Sequence, residues 1–198
     1  LAGRAPASRL LARQSRRRLD AAPLRASALR ASVRLSPERF GPPVQPPQPD
    51  GVYAFTQSNR KWTASDGPDR YRRTLYTRLW RSAVHPFLTT FDAPVPTQTC
   101  TRRGRSTTAL QALALANDPM FLELAAALGE RARSRPGNDA ARLRTAFALC
   151  TAREPHATEL EVLLEHLTAL RAAGAGEERA WTAVARVLLN LDEFVTRE

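Results

Sequence analysis

The second half of the chain carries the hydrophobic pattern of amphipathic helices. From residue 107 onward, apolar residues recur three and four positions apart, which is the spacing of one buried helix face. A helix with a single apolar stripe is stable only when that stripe is covered, so these helices must pack against each other. We therefore predict a bundle of four to five helices with short connections over residues 107–198.

Local signals place the boundaries of these helices. Asp118 before Pro119 predicts a helix start, with the aspartate as N-cap and the proline at the first helical position. The spacing of Thr158 and Glu161 predicts a capping box at a later helix start. The predicted buried positions are Leu110, Leu113 and Ala114; Phe121, Leu124, Ala125 and Leu128; Leu143, Ala146, Phe147 and Cys150; Leu160, Leu163, Leu164, Leu167 and Leu170; and Trp181, Val184, Ala185, Leu188, Leu191 and Val195.

The first half is less regular. Residues 15–35 read as a helix that Ser36-Pro37 ends, and residues 70–82 as a second helix that buries Leu75, Tyr76, Leu79 and Trp80. Between them, five prolines within residues 41–51 favour an extended strap, laid over a surface or serving as a linker. Val52, Tyr53 and Phe55 suggest one short strand, and residues 83–106 show no clean period. The predicted fold is mainly α, with an irregular part (1–106) and a bundle (107–198) in one continuous domain.

The N-terminal residues suggest a piece of a longer polypeptide. The chain begins with Leu1, and its first nine residues lack the charged start and long apolar run of a secretion signal. No apolar stretch approaches the roughly 20 residues needed to span a bilayer, so we expect no transmembrane segment.

The charge is strongly basic and unevenly distributed. The net charge is +11, and residues 1–110 contain 20 basic against 6 acidic residues, whereas residues 111–198 contain 10 against 13. Such an imbalance is typical of nucleic-acid binding. However, 29 of the 30 basic residues are arginine and Lys61 is the only lysine, which indicates GC-rich coding bias instead. We do not expect nucleic-acid binding, and assign part of the excess to an acidic partner domain.

Cysteine and histidine usage favours neither a metal nor a covalently attached haem within this chain. Cys100 and Cys150 form no CxxC motif, and the three histidines share no ligand spacing. A disulfide between the two cysteines stays open, since it requires Cα atoms within about 7 Å of each other. We predict no metal and no cofactor in this chain.

Several short phrases resemble one family over nearly the whole chain and in the same order. They read YRRTLY at 71–76, TFDAP at 90–94, CTRR at 100–103, LQAL at 110–113, NDP at 117–119, REP at 153–155 and LNLDEF at 189–194. Together they resemble the C-terminal domain of unknown function of multidomain planctomycete proteins, which commonly carry a c-type cytochrome module near their start. Residues 105–111 depart from the family pattern, because an asparagine and a proline are missing there.

The resemblance has consequences for location and cofactor. It implies a periplasmic or extracellular protein, and a haem c in the part of the parent polypeptide that precedes this chain. It supplies no reaction for the domain itself.

The candidate binding residues lie within these family-like phrases. Arg72, Arg73, Arg102 and Arg103 could hold an anionic group or a partner through forked hydrogen bonds, with Asp92 among them. The alternative is that Asp92 pairs with one of these arginines and fixes the irregular segment. Asp118 is interpreted as a helix cap and Cys150 as a buried core thiol.

Two functional hypotheses follow from these residues and the resemblance. The first is an interaction or structural module that docks on companion domains of the same polypeptide through its basic half and its strap. The second is part of an enzyme acting on polysaccharide or sulfated sugar, with the arginine-rich segment forming an anion-binding pocket. Whether the chain takes part in catalysis stays open at this stage.

Overall fold

The computed structural model describes residues 16–53 and 61–197, and the prediction of a mainly α fold is confirmed there. The bundle contains five helices longer than one turn, as predicted. They are α3 (Ala109–Asn117), α4 (Pro119–Arg133), α5 (Asp139–Thr151), α6 (Ala157–Ala172) and α7 (Glu177–Leu189). α1 (Ala21–Ala31), α2 (Pro86–Thr90) and the one-turn α8 (Asp192–Val195) pack around them.

α4 and α7 form the centre of the bundle, and they pack more extensively on each other than any other pair of elements. The predicted stripe of α4 is buried, and so are Trp181, Val184, Ala185 and Leu188 of α7. Gly129 neither breaks nor ends α4. Instead, a Cβ built at Gly129 would lie 2.8 Å from the carbonyl carbon of Trp181, so glycine permits the close approach of the two backbones.

The two ends of the described chain lie side by side. β1 (Arg17–Arg18) pairs antiparallel with β2 (Thr196–Arg197), with Arg17 opposite Arg197. The amide of Leu19 also donates to the carbonyl oxygen of Val195 at 2.8 Å. This ribbon fixes α1 to the C-terminal end of the bundle, so the basic first half and the helical second half share one core.

The prediction of a helix over residues 70–82 is wrong. Only two 3₁₀ turns form there, Gly67–Tyr71 and Thr74–Tyr76, and Leu75 is 83% exposed. The physical reason is that tertiary donors take the carbonyl oxygens an α-helix would use. Arg25 donates to the carbonyls of Arg70 and Arg72, and backbone amides outside the segment donate to those of Tyr71 and Tyr76.

Three further predictions need correction. α1 is shorter than the predicted helix, whose residue 15 lies outside the described residues. Arg17–Arg18 pair as β1 before it, and Val33 takes a left-handed conformation (φ 57°) just beyond its end. The N-terminus of α6 is closed by Glu159, which accepts from the amide of His156 at 2.7 Å, and not by Thr158 with Glu161. On α3, Gln111 and Leu115 face the core, whereas Leu110 and Leu113 are exposed.

The proline-rich strap lies on the surface of the domain, as predicted. Val44 is its buried anchor, since its amide donates to the carbonyl of Tyr76 and its own carbonyl accepts from the amide of Arg78, both at 2.8 Å. Val52 and Tyr53 form a turn and no strand, and Phe55 lies outside the described residues.

Candidate functional site

Arg25 is a buried cation that joins α1, the 3₁₀ segment and α4. Its guanidinium donates to the carbonyl oxygens of Arg72 at 2.5 Å and Arg70 at 3.1 Å, and its Nε lies 2.8 Å from the sulfur of Met120. Burial lowers the pKa of Arg25 to about 10, partly offset by the nearby carboxylate of Asp118. No local pattern predicts this role of Arg25, because its partners lie 45 and more positions away.

Asp118 caps α4, as predicted. Its Oδ1 accepts from the amide of Met120 at 2.9 Å, and Pro119 occupies the first turn. Burial raises the pKa of Asp118, although the bonds from the helix amides and the charge of Arg25 act in the opposite direction. The residue therefore acts as a structural cap close to a buried cation.

Arg72 is buried beneath the strap and does not point to solvent. Its guanidinium donates to the carbonyl oxygens of Phe40 and Pro42 and lies 4.1 Å from the ring centroid of Tyr76. Its side chain is only 3% exposed, and its pairing with the half-exposed Asp69 is loose at 3.7 Å. The structure thus gives Arg72 the role of a clamp on the first residues of the strap.

Asp92 fixes the irregular segment, and its partner is Arg18, outside the set of arginines considered from the sequence. Its Oδ2 accepts from Arg18 at 2.6 Å and from the amide of Ser106 at 2.7 Å. Burial raises the pKa of Asp92, but the hydrogen bonds from Ser106 and Arg18 outweigh it and the net pKa is lowered. Asp92 itself sits at φ 56°, a conformation that aspartate tolerates better than most residues.

The remaining candidate residues are exposed. Arg73 and Arg102 lie on the surface, and Arg103 pairs with Asp20 at 3.1 Å. Arg72 binds carbonyl oxygens at the start of the strap, whereas Asp92 binds Ser106, so these two residues belong to separate hydrogen-bond networks. Among the described residues, Arg102 and Arg103 join neither of these arrangements.

Glu123 accepts hydrogen bonds from several side chains, and no pattern in the sequence predicts them. Arg70 donates to it in a forked arrangement through Nε at 3.1 and 3.0 Å and Nη2 at 2.8 Å, and the hydroxyl of Tyr71 also donates to it. Burial raises the pKa of Glu123, while these hydrogen bonds lower it further than burial raises it. Together with Arg25, this network holds the 3₁₀ segment against α4.

A cavity of about 740 Å³ opens beside this network. Its wall runs along the end of the strap from Pro47 to Tyr53, continues over residues 61–64, and reaches Arg70 and Pro119. Of the described residues, two with aromatic side chains, Tyr53 and Trp62, line it, and their ring centroids stack 5.9 Å apart. The cavity lies apart from the arginines predicted from the sequence.

His85 lies buried behind this aromatic cluster. Its Nε2 is 3.1 Å from the carbonyl oxygen of Pro47, and its ring meets that of Trp62 edge-on at 5.6 Å. Burial lowers the pKa of His85 to about 4; the carbonyls of Pro47 and Pro46 act in the opposite direction, and the charge of Arg25 lowers the pKa further.

This lowered pKa predicts an acid-sensitive stability. In the unfolded chain the imidazole takes up a proton near pH 6.5, whereas in the folded chain it stays neutral until about pH 4. Stability is therefore complete above pH 6.5 and falls as the pH drops, by about 2 kcal/mol between pH 7.5 and pH 5. Denaturant unfolding at the two pH values measures the loss.

The matched variants are His85→Gln and His166→Gln. We expect His85→Gln to remove most of the difference between pH 7.5 and pH 5, and His166→Gln to retain it. An unchanged difference in His85→Gln would show that another group carries the pH dependence.

The cysteines are not bonded to each other. Cys100 is exposed and Cys150 is buried. Burial raises the pKa of the Cys150 thiol to about 12, as expected of an unreactive core residue.

Within the described parts of the chain, no three histidine, cysteine or acidic residues come together as a group that could hold a metal ion. In the same residues no single helix is long and apolar enough to cross a membrane. α3 and α4 taken together have the length and composition, but they meet at a 60° bend.

A family model described as "PSD1: Protein of unknown function (DUF1553)" matches residues 1–167. No curated protein and no solved structure matches the chain. Because the matched region extends from the first residue into α6, the chain belongs to the PSD1 family of proteins of unknown function (DUF1553).

Proposed function

We propose that this chain is a docking module that packs against companion domains of a longer polypeptide. The observation that carries the proposal is the outer face of α3. The helix contains no charged residue, and its two outward leucines, Leu110 and Leu113, are 69% and 59% exposed. Neighbouring exposed apolar residues on one helix mark an interaction surface more often than isolated ones do.

The free energy available from covering this face is substantial. Burying two leucine side chains that are now largely in water would contribute about 2–4 kcal/mol to association. The inner face of α3 cannot change places with the outer one, because Gln111 is tied to the carbonyl of Thr90 at 3.0 Å. The outward leucines are therefore held at the surface by the fold.

The charge around α3 indicates the chemistry of the partner. Arg102, Arg103 and Arg105 precede the helix, and all three are exposed. In the part of the chain that the structure describes, the carboxylate of Asp20 is the one that pairs with Arg103 and Arg105. A partner that places an apolar patch over α3 and acidic residues at its rim would complement both features.

The location and the companion domains belong to the same proposal. The family-like phrases support a secreted protein, periplasmic or extracellular, whose companion domains include a c-type cytochrome module. On this proposal, the docking face holds the module against those domains.

The experiment measures binding in trans. The remainder of the natural polypeptide is expressed separately and titrated with the 198-residue chain by calorimetry. We expect the double substitution Leu110→Gln/Leu113→Gln to weaken binding at least tenfold, because it removes the apolar contact and leaves the fold intact. Thermal unfolding of the variant should match that of the original chain.

The matched control is Val162→Gln, which changes a residue 62% exposed on the outer side of α6. We expect this control to bind like the original chain. Equal binding by the α3 double variant and the control would contradict the proposal, and so would a chain that binds only to itself.

A further inference from the structure

The cavity beside the strap has the size and lining of a ligand-binding site, and its use is independent of docking through α3. Its volume of about 740 Å³ lies within the range of about 300–1,000 Å³ that is usual for small-ligand sites. Five of the residues along its wall carry the argument, namely Asp50, Tyr53, Lys61, Trp62 and Thr63.

The aromatic side chains are held in fixed positions but remain partly open. The indole Nε1 of Trp62 donates to the carbonyl oxygen of Pro46 at 2.7 Å. The ring of Trp80 packs edge-on against that of Trp62, with centroids 5.5 Å apart, and tilted against that of Tyr53, with centroids 4.8 Å apart. Tyr53 and Trp62 nevertheless stay half-buried, so each keeps surface for a ligand. A ring already held in place loses little side-chain entropy when a ligand stacks on it.

The polar groups around these rings belong to the same wall. The side chain of Gln48 hydrogen-bonds to that of Tyr53 and helps to hold this ring in place. Asp50, Lys61 and Thr63 are exposed at the same wall and offer acceptors, an ammonium donor and a hydroxyl.

The charge of the lining favours an uncharged ligand. Asp50 and Lys61 carry opposite charges, and the guanidinium of Arg70 is already engaged by Glu123 through the forked bonds described above. Along the described part of the wall, a phosphate or sulfate group would therefore meet no excess of available cations. The combination calls for a ligand with an apolar face and many neutral hydroxyl groups.

We propose that this cavity binds an uncharged oligosaccharide. One pyranose ring places its C–H face on Trp62 and Tyr53. Its hydroxyl groups donate to Asp50 and accept from Lys61. The proposal concerns binding alone, and no covalent bond is made or broken in the cavity.

The test uses intrinsic tryptophan fluorescence and calorimetry of the whole 198-residue chain. The probes are three neutral tetrasaccharides, cellotetraose, laminaritetraose and mannotetraose. We expect at least one to bind with a dissociation constant of about 0.1–5 mM, which corresponds to a weak single site. Failure of all three to bind at about 10 mM would overturn the proposal.

Two variants and one control localise the binding. Trp62→Ala should reduce affinity at least tenfold, and Asp50→Ala at least threefold. Asp50 is exposed, so its variant tests the site even if Trp62→Ala unfolds. The control Asp66→Ala changes an exposed acid outside the lining and should bind normally.

Other outcomes would also overturn the proposal. Sugar binding that neither Trp62→Ala nor Asp50→Ala alters would place the sugar elsewhere. Tight binding of a proline-rich decapeptide in place of every sugar would reassign the aromatic rings to peptide recognition.

Discussion

Replacing Gly129 by alanine is expected to lower the free energy of unfolding by about 2 kcal/mol, despite alanine's better helix propensity. The added Cβ would lie 2.8 Å from the carbonyl carbon of Trp181 and 2.9 Å from the amide nitrogen of Thr182. These are backbone atoms of α7, which cannot rotate away as a side chain could. α4 and α7 must therefore separate, and the apolar contacts at the centre of the bundle loosen.

Thermal unfolding measures this effect. A loss of about 2 kcal/mol corresponds to a fall of about 4–8 °C in Tm for a domain of this size. Gly104→Ala is the control, because a Cβ at Gly104 would meet nothing within 4 Å. A Gly129→Ala variant as stable as the original chain would mean that α4 and α7 do not pack as closely as described.

Replacing Arg25 by methionine is expected to cost about 3 kcal/mol of stability. Methionine keeps the apolar stem but removes the guanidinium. The carbonyl oxygens of Arg70 and Arg72 then lose a donor in a buried setting, and the carboxylate of Asp118 loses its nearby cation. Chemical unfolding should show the loss as a lower transition midpoint.

The same substitution should loosen one region more than others. Amide hydrogen exchange should increase first over residues 67–78, since Arg25 is the residue that holds this segment to α1. Arg30→Met, on the exposed side of α1, is the matched control. Exchange that rises equally throughout the bundle would contradict the tethering role of Arg25.

Most of the bundle could be predicted from the sequence because its signals are local. The pair Asp118-Pro119 specifies a helix start within two residues, and the core stripes of α4 and α7 repeat over several turns. Such signals depend on the period of the helix and on capping chemistry, which a single sequence contains.

Residues 70–82 do not form the predicted helix for the opposite reason. Its apolar spacing fits a helix, but its carbonyl oxygens are engaged by Arg25, Ser36 and Val44 from distant parts of the chain. Tertiary hydrogen bonds of this kind override a local preference and leave no local pattern. The buried face of α3 differs from the predicted one for another reason. Both faces of this helix carry apolar residues, and composition does not show which face is covered.

The candidate residues were found more easily than their partners. Arg72 and Asp92 do make several polar contacts each, but Asp92 pairs with Arg18, which lies 74 positions earlier. The aromatic cavity depends on Trp62 and Trp80, whose loops carry no periodic signal, and on strap residues whose carbonyl oxygens position the rings. Contacts between irregular segments have no sequence spacing from which to infer them.

Hydroxyl-radical footprinting of Leu110 and Leu113 tests the docking role most directly. Oxidation of these two side chains is compared in the 198-residue chain alone and in the polypeptide encoded by the complete reading frame, with Val162 as internal reference. We predict that both leucines are strongly labelled in the isolated chain and at least fivefold protected in the longer polypeptide, while Val162 is labelled equally in both. Equal labelling of the two leucines in both samples would contradict the account.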